Sequence, residues 1–322
     1  MALTSFLEAY YVVNPTFACM VTIASDTDGP LDPCPACGNA NWEDAGQVKD
    51  YSITGEWFSL KECPLCHLKM TFPQPGIADI DRYYASEEYI SHSDTRSGLI
   101  NRLYHTAREY MLKKKFKWVL RASGLEKGIL LDIGAGTGHF AHFMKEKGWQ
   151  VTALEPDQKA RKIASEKLGI NILPLESLDL QAPHSYDVIT LWHVLEHVHD
   201  LSGYMEHFRT LLKPGGVLII AVPNHTSSDA KKYGAAWAAY DVPRHLWHFS
   251  PASMEKLMSS HHFNLTEKIA MPLDAFYVSM LSEKYKGNRG AGSIAGIFSG
   301  LQTLLSEINN VDQASSIIYV AH

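Results

Sequence analysis

The sequence predicts an α/β fold: a seven-stranded, mostly parallel sheet with helices on both faces, preceded by a small metal-stapled ribbon. Three observations carry this. The stretch Ile129-Leu-Leu-Asp-Ile-Gly-Ala-Gly-Thr-Gly-His-Phe140 reads as a buried strand, a tight glycine turn and a helix N-terminus. From Ile129 onward, short apolar runs alternate with helical patterns, the signature of parallel strands joined by crossovers. Upstream stand two C-x2-C pairs, Cys34-Pro-Ala-Cys37 and Cys63-Pro-Leu-Cys66.

Composition sets the outer bounds. A chain of 322 residues, 46% hydrophobic and 20% charged, fits a globular protein with room for two domains. Its net charge of −6 argues against a nucleic-acid partner. The one basic run, Lys113-Lys-Lys-Phe-Lys117, reads as a solvated helix face. No apolar run reaches the roughly 18 residues of a membrane span, so no membrane partner is expected. The first Lys or Arg is Lys49 and Glu8 sits early, so no secretory signal is expected either.

Taken in order, residues 1–30 form an N-terminal extension with no assigned role, and Cys19 reads as an ordinary buried thiol. Residues 31–75 form the ribbon. Cys34, Cys37, Cys63 and Cys66 can close a tetrahedron on a structural zinc ion, with His67 an alternative ligand. The alternation from Val48 to Phe58 suggests the ribbon's strands. Thiols held free or on metal imply a reducing compartment, hence the cytoplasm. Residues 76–124 follow as a helical linker on the substrate side. Tyr83, Tyr84, Tyr89 and His92 read first as packing and second as the wall of a ligand site. Leu99, Leu103, Ala107 and Met111 mark one stripe of a long helix ending near Leu120.

The sheet domain spans residues 125–322. Its strands are expected at Ile129 to Ile133, Gln150 to Leu154, Ile170 to Leu173, Tyr186 onward, Val217 to Val222, Asn264 to Ala270 and, antiparallel, Ser315 to Ala321. Two insertions, residues 223–250 and 273–314, begin at the carboxyl ends of strands, where open α/β sheets bind ligands. Both read as lids over an acceptor pocket; the second reads equally as a packing or dimer helix. The number of chains in the assembly is not legible.

The glycine turn departs from the dinucleotide fingerprint. In G-x-G-x-x-G a third glycine would fall at His139. Here Gly134, Gly136 and Gly138 alternate, and Asp132 precedes them by two. This resembles the D-x-G-x-G-x-G motif of class I S-adenosylmethionine-dependent methyltransferases, which have a Rossmann-like fold. The resemblance covers roughly residues 125–270 and 315–321. It implies S-adenosylmethionine as cofactor, held by Asp132, Gly134, Ala135, Gly136, Gly138, Glu155, Pro156, Glu176, Ser177, Trp192 and His193. Glu155 ends the second strand, where a carboxylate can accept both ribose hydroxyls. Trp192 and His193 would flank the methyl-bearing sulfur.

With its ribbon, the chain is similar to domain-23 bacterial methyltransferases, some of them sugar C-methyltransferases. In those, a Tyr-His-Glu-His segment precedes an aromatic-Phe-Ser. Here Val242-Pro-Arg-His245 precedes Leu-Trp-His-Phe-Ser250, so only His245 carries over. The expected activity is methyl transfer to an oxygen, carbon or nitrogen nucleophile of a small molecule, with a sugar or glycan among the acceptors. His245, then His248 and His193, are the candidate bases, and Arg244 a candidate clamp for an acidic acceptor. Two rivals stand beside this: an NAD-dependent oxidoreductase, and a zinc-ribbon adaptor with an inactive methyltransferase domain.

Overall fold

Along the central strands, alternate side chains enter two different cores. The computed structural model describes residues 31–84, 99–271, 273–288 and 292–322. The extension 1–30 with Cys19, and Tyr89 and His92, lie outside them, as do the side chains of Leu99 and Leu103. In β4 (Ile129–Ile133), Leu131 and Ile133 face one core and Leu130 the other. In β6 (Tyr186–Trp192), Ile189 and Leu191 share the first core, Val188 and Trp192 the second. A strand with period-two side chains that is apolar on both faces must be covered on both.

The helices supply those covers. α1 (Leu99–Ser123) and α2 (His139–Glu146) bury Met111, Trp118, Val119, Phe140 and Met144 on one face. On the other face α4 (Leu201–Leu211) and α6 (Pro251–Ser260) contribute Leu201, Met205, Phe208, Met254, Leu257 and Met258. Between them in sequence, α3 (Gln158–Leu168) starts at Asp157, whose carboxylate accepts from Lys159 N and Ala160 N.

The sheet order is β5 (Gln150–Leu154), β4, β6, β7 (Leu212–Pro223), β10 (Ser316–Ala321) and β9 (Leu265–Ala270). β5, β4, β6 and β7 are mutually parallel, and β10 runs antiparallel between β7 and β9. Six strands are therefore formed in this sheet among the described residues. The seventh expected position, Ile170 to Leu173, is reduced to one parallel bridge, Leu154 to Leu173. Pro174 follows at once and has no amide to extend the ladder, so Ile170 and Ile172 act as packing beside Ala153 and Ala164. β7 starts earlier than expected, at Leu212. Leu212 pairs with Tyr186, and the register shifts before Val217 meets Val188.

The ribbon is a four-stranded antiparallel sheet: β1 (Glu43–Lys49), β2 (Trp57–Glu62), β3 (Lys69–Phe72) and β8 (Trp247–His248). The middle of the expected Val48 to Phe58 alternation is a turn. Asp50 takes the amides of Ser52, Ile53 and Thr54 there, which closes the chain between β1 and β2. The fourth strand comes from the first insertion, where Lys69 pairs with His248 and Met70 with Trp247. That insertion, expected as a lid, is thus the splice between ribbon and sheet domain.

Arg244 locks the splice. Its buried guanidinium donates Nη2 to Asp50 at 3.0 Å, Nε and Nη2 to Asp241 at 3.0 and 2.7 Å, and Nη1 to the Tyr83 carbonyl at 2.8 Å. Its donors serve the chain itself, which overturns the expectation that it clamps an acidic acceptor.

The second insertion comprises α7 (Asp274–Tyr285) and α8 (Gly292–Asn309). α5 (Ser228–Tyr233), in the first insertion, meets it: Tyr233 donates to Glu283 at 3.0 Å. Tyr285 stacks on Tyr51 of the ribbon, with ring centroids 4.5 Å apart.

Replacing Arg244 by Ala would strand a buried carboxylate at Asp50. The expected result is a loss of about 3–5 kcal/mol in unfolding free energy, read by chemical denaturation. A loss below about 1 kcal/mol would show that the splice is held by other contacts.

Candidate active site

The glycine turn between β4 and α2 is closed by its own chain. Ala135 N donates to the Leu154 carbonyl at 2.9 Å, Gly136 N to Glu155 Oε2 at 2.7 Å, and Gly138 N to the Ala135 carbonyl at 2.9 Å. Two of the glycines are required by packing. A Cβ on Gly134, at φ +68°, would stand 2.3 Å from Val194 Cγ2. One on Gly138, at φ +79°, would stand 2.5 Å from Ile170 Cδ1. Phosphate sites need unengaged amides at such a turn. With these three amides engaged, the turn is poorly suited to the diphosphate that the oxidoreductase rival requires.

Glu155 is buried at the head of β5, with Oε1 accepting from Asp157 N at 2.9 Å. The helix cap is Asp157, so Glu155 is not an N-terminal helix acid. A carboxylate accepts up to about four hydrogen bonds, so holding the turn is compatible with holding a sugar. Pro156 follows, half-buried. Glu176 and Ser177 lie in a 3-10 turn at Leu175–Leu180, Glu176 exposed and Ser177 half-buried with its carbonyl held by Gln181 Nε2.

Under the turn lies a charged cluster that the sequence reading missed in part. Asp132, on β4, accepts from Thr190 Oγ1 at 2.7 Å. Burial pushes its carboxyl up to about 7, against the Thr190 hydrogen bond and the charge of Lys115. Lys115, expected on a solvated face, instead lies half-buried over the Trp192 ring at 4.4 Å. Burial lowers its ammonium to about 8, against the pull of Asp132 and Asp274. It stands four residues after Met111 and four before Val119, both buried, so it shares their helix face. Trp192 packs edge-on to Phe140, with centroids 5.5 Å apart.

His193 follows β6 in a left-handed conformation, φ +58°. Its Nε2 lies 3.1 Å from Asp274 Oδ2 and its Nδ1 3.4 Å from Glu196 Oε1, all buried. Burial works against its charge, but Asp274 and Glu196 prevail and raise it to about 9. It is therefore a cation at neutral pH and not a base as it stands. Asp274, from the start of the second insertion, was not singled out by sequence reasoning because nothing local marks it.

His245 and His248 part company. His245 offers Nδ1 to the Ala239 carbonyl at 2.9 Å, and its ring meets His197 edge-on with centroids 4.6 Å apart. Glu196, His197 and His245, all buried, place ligand atoms within 4.8 Å of one another. His248 belongs to the ribbon sheet. Thr71 gives its one hydroxyl proton to the His245 carbonyl at 2.6 Å, so His248 Nε2 must donate to Thr71 Oγ1 at 3.0 Å. Burial drives its ring well below the usual histidine range. It is a neutral structural group, apart from the rest.

The four cysteines converge as expected. Cys34 and Cys66 Sγ lie 3.5 Å apart, Cys37 and Cys63 Sγ 3.4 Å, and all four fall within 4.8 Å. A tetrahedron with Zn–S bonds of about 2.3 Å has edges of about 3.8 Å, so the set fits zinc. His67 is exposed and turned to Glu62 Oε1 at 2.9 Å, away from that set.

A family model described as a methyltransferase domain matches residues 105–268. A ubiquinone biosynthesis O-methyltransferase of Rickettsia typhi is 28% identical over 196 residues, 56% of this chain and 78% of that protein. One from Bordetella bronchiseptica is 32% identical over 115 residues, 33% of this chain and 48% of that protein. The chain thus spans most of the first relative and about half of the second. Phosphoethanolamine N-methyltransferase 2 of Haemonchus contortus, solved with S-adenosyl-L-methionine, shares 18% identity at a TM-score of 0.44. That likeness covers 65% of this chain and 52% of the other. No helix among the described residues is long and apolar enough to cross a membrane.

Two outcomes test this geometry. Because His193 is raised from 6.5 to about 9 on folding, its ion pairs stabilise fully below about 6.5. That stability is lost as pH rises through about 9. In Asp274→Asn the loss between pH 7 and 10, followed by denaturation, should largely vanish; an unchanged profile would remove Asp274 as the partner. Elemental analysis after gel filtration should find zinc bound to the full chain and lost in Cys63→Ser.

Proposed function

The chain belongs to the methyltransferase-domain family, class I S-adenosylmethionine-dependent enzymes, whose model spans just over half of it; we propose that it methylates an oxygen nucleophile on a small molecule. The observation that carries this reading is the closed glycine turn with a buried Glu155 beside it. The turn meets the amino-acid end of the donor with carbonyls and close backbone, and Glu155 holds the ribose. Glu176 and Ser177 stand at the rim for the adenine. Lys115 and Asp132, oppositely charged and tuned close to neutral, face the donor's carboxylate and ammonium.

Methyl transfer from a sulfonium asks mainly for alignment of nucleophile, methyl and sulfur. The cation at His193 is the group nearest the end of β6, and the second insertion brings in the carboxylate that holds it there. The acceptor hydroxyl faces the Glu196–His197–His245 group and loses its proton to solvent. The donor sulfur then leaves as a thioether as the methyl bonds to oxygen. Relatives named as O-methyltransferases support an oxygen acceptor. A sugar hydroxyl and a phenol both satisfy that description. The domain limits follow the same reading: ribbon at 31–75, helical segment at 76–124, methyl-transfer domain from 125, with the insertion 223–250 shared between ribbon and domain.

Calorimetry should show S-adenosylhomocysteine binding and no NADH binding; the reverse would end this reading. Glu155→Ala should weaken S-adenosylhomocysteine by about 1–3 kcal/mol, the worth of a hydrogen bond to a charged acceptor. Labelled donor offered to sugar and phenol panels should transfer to one of them. Donor binding without transfer to any hydroxyl would favour the adaptor.

A further inference from the structure

Three hydrogen-bond acceptors meet inside the protein, with the His193 cation against only one of them, Glu196. His197 presents Nδ1 to the Arg244 carbonyl at 2.9 Å, which places its proton there and leaves Nε2 as a lone pair. That Nε2 is buried with no hydrogen-bond partner. His245 is fixed the same way, Nδ1 on the Ala239 carbonyl, so its Nε2 is the nitrogen left for the cluster. Glu196 is buried, and neither carboxylate oxygen makes a hydrogen bond; Oε1 has only the 3.4 Å ion-pair contact with His193. Two imidazole lone pairs beside a carboxylate repel one another, and His193, touching only Oε1, offsets this on one side alone; an ion among the three would offset it fully.

We propose that Glu196, His197 and His245 form a second metal site, binding one divalent first-row transition ion through two imidazole nitrogens and one carboxylate. The donor set suits such an ion rather than magnesium or calcium, which take oxygen. Its supporting shell is built. Both ligating rings anchor their other nitrogen on a backbone carbonyl, the usual orienting contact of metal-bound histidine. Leu246 N donates to the Glu196 carbonyl at 2.8 Å, tying the two ligand-bearing segments together. From the ribbon, Thr71 Oγ1 holds the His245 carbonyl and Thr71 N the Leu246 carbonyl at 3.0 Å. Three protein ligands leave open positions, as catalytic rather than structural sites do.

Ion binding stands independently of the acceptor reading; only the ion's role rests on it. In that role the ion, held by Glu196, His197 and His245, would make an acceptor hydroxyl more acidic; the proton would pass to solvent, and the oxygen would take the methyl while the donor sulfur leaves as a thioether.

Cobalt(II) substituted into the full chain tests the site. Two equivalents should bind, one of them alone giving thiolate-to-cobalt charge-transfer absorption. Proton NMR of that sample should show two hyperfine-shifted, solvent-exchangeable imidazole N–H signals, from His197 and His245, because the cysteine site has no imidazole. This readout needs no variant. His197→Ala and His245→Ala should each lose one equivalent and keep the charge-transfer band, and Glu196→Gln should weaken the second ion at least tenfold. A single equivalent with no shifted imidazole signals would overturn the site. Failure to methylate any acceptor, with both ions bound, would count against the functional reading and leave the site standing.

Discussion

The arrangement of this protein depends on one buried guanidinium. Arg244 joins Asp50 of the ribbon turn to Asp241 of the first insertion, and a charge so placed is tolerable only while every partner stays in reach. Its backbone carbonyl takes the His197 proton. The next residue is His245, whose own carbonyl is gripped by Thr71 of β3. Fixing the side chain of Arg244 therefore fixes the peptides that orient two imidazoles. The ribbon is in this sense a brace. A zinc ion at its four cysteines would stiffen a sheet whose far strand belongs to the segment carrying His245.

The glycine turn shows how one residue type serves two demands. Its alternating glycines suggested a bed for a ligand. Two of them are there first because Val194 and Ile170 occupy the space a side chain would need. The close fit brings the start of α2 against the bridge segment and the end of β4 against the loop after β6. Glu155 then couples the turn to β5. A ligand lying there rests on a turn already rigid, so little further ordering accompanies binding.

Features with a local signature were legible in the sequence. The cysteine knuckles, the glycine turn, Glu155 and the apolar runs of β4, β5 and β6 each declare themselves within a few residues, and each lies where its pattern implied, whereas the Val48 to Phe58 alternation is broken by the turn at Asp50. The strand at Ile170 was overestimated because Pro174 matters more than the apolar run before it. Lys115 was misread because the basic run around it masked its place on the stripe of Met111 and Val119. Arg244 and Asp274 lay beyond local reading. The first depends on a carboxylate 194 positions away and the second on a histidine across an insertion. Charges that pair over such distances leave no periodicity and no motif.

Burial sorts the histidines, and the sorting bears on chemistry. Desolvation disfavours the imidazolium, and His139, His197, His225 and His248 are all driven toward the neutral form. His193 alone among the described residues is clearly driven the other way, because two buried carboxylates bracket it. The end of β6 thus presents a fixed cation, and one side chain further on, beyond Glu196, stands a neutral ring whose lone pair has no donor. Under the methyl-transfer reading proposed above, the cation would stand on the donor side and the imidazole pair on the acceptor side. Glu196 connects the two, touching His193 with one oxygen and turning its carboxylate toward the imidazole pair. Neutralising Glu196 would therefore disturb both halves at once, whereas changing Asp274 would disturb only the first.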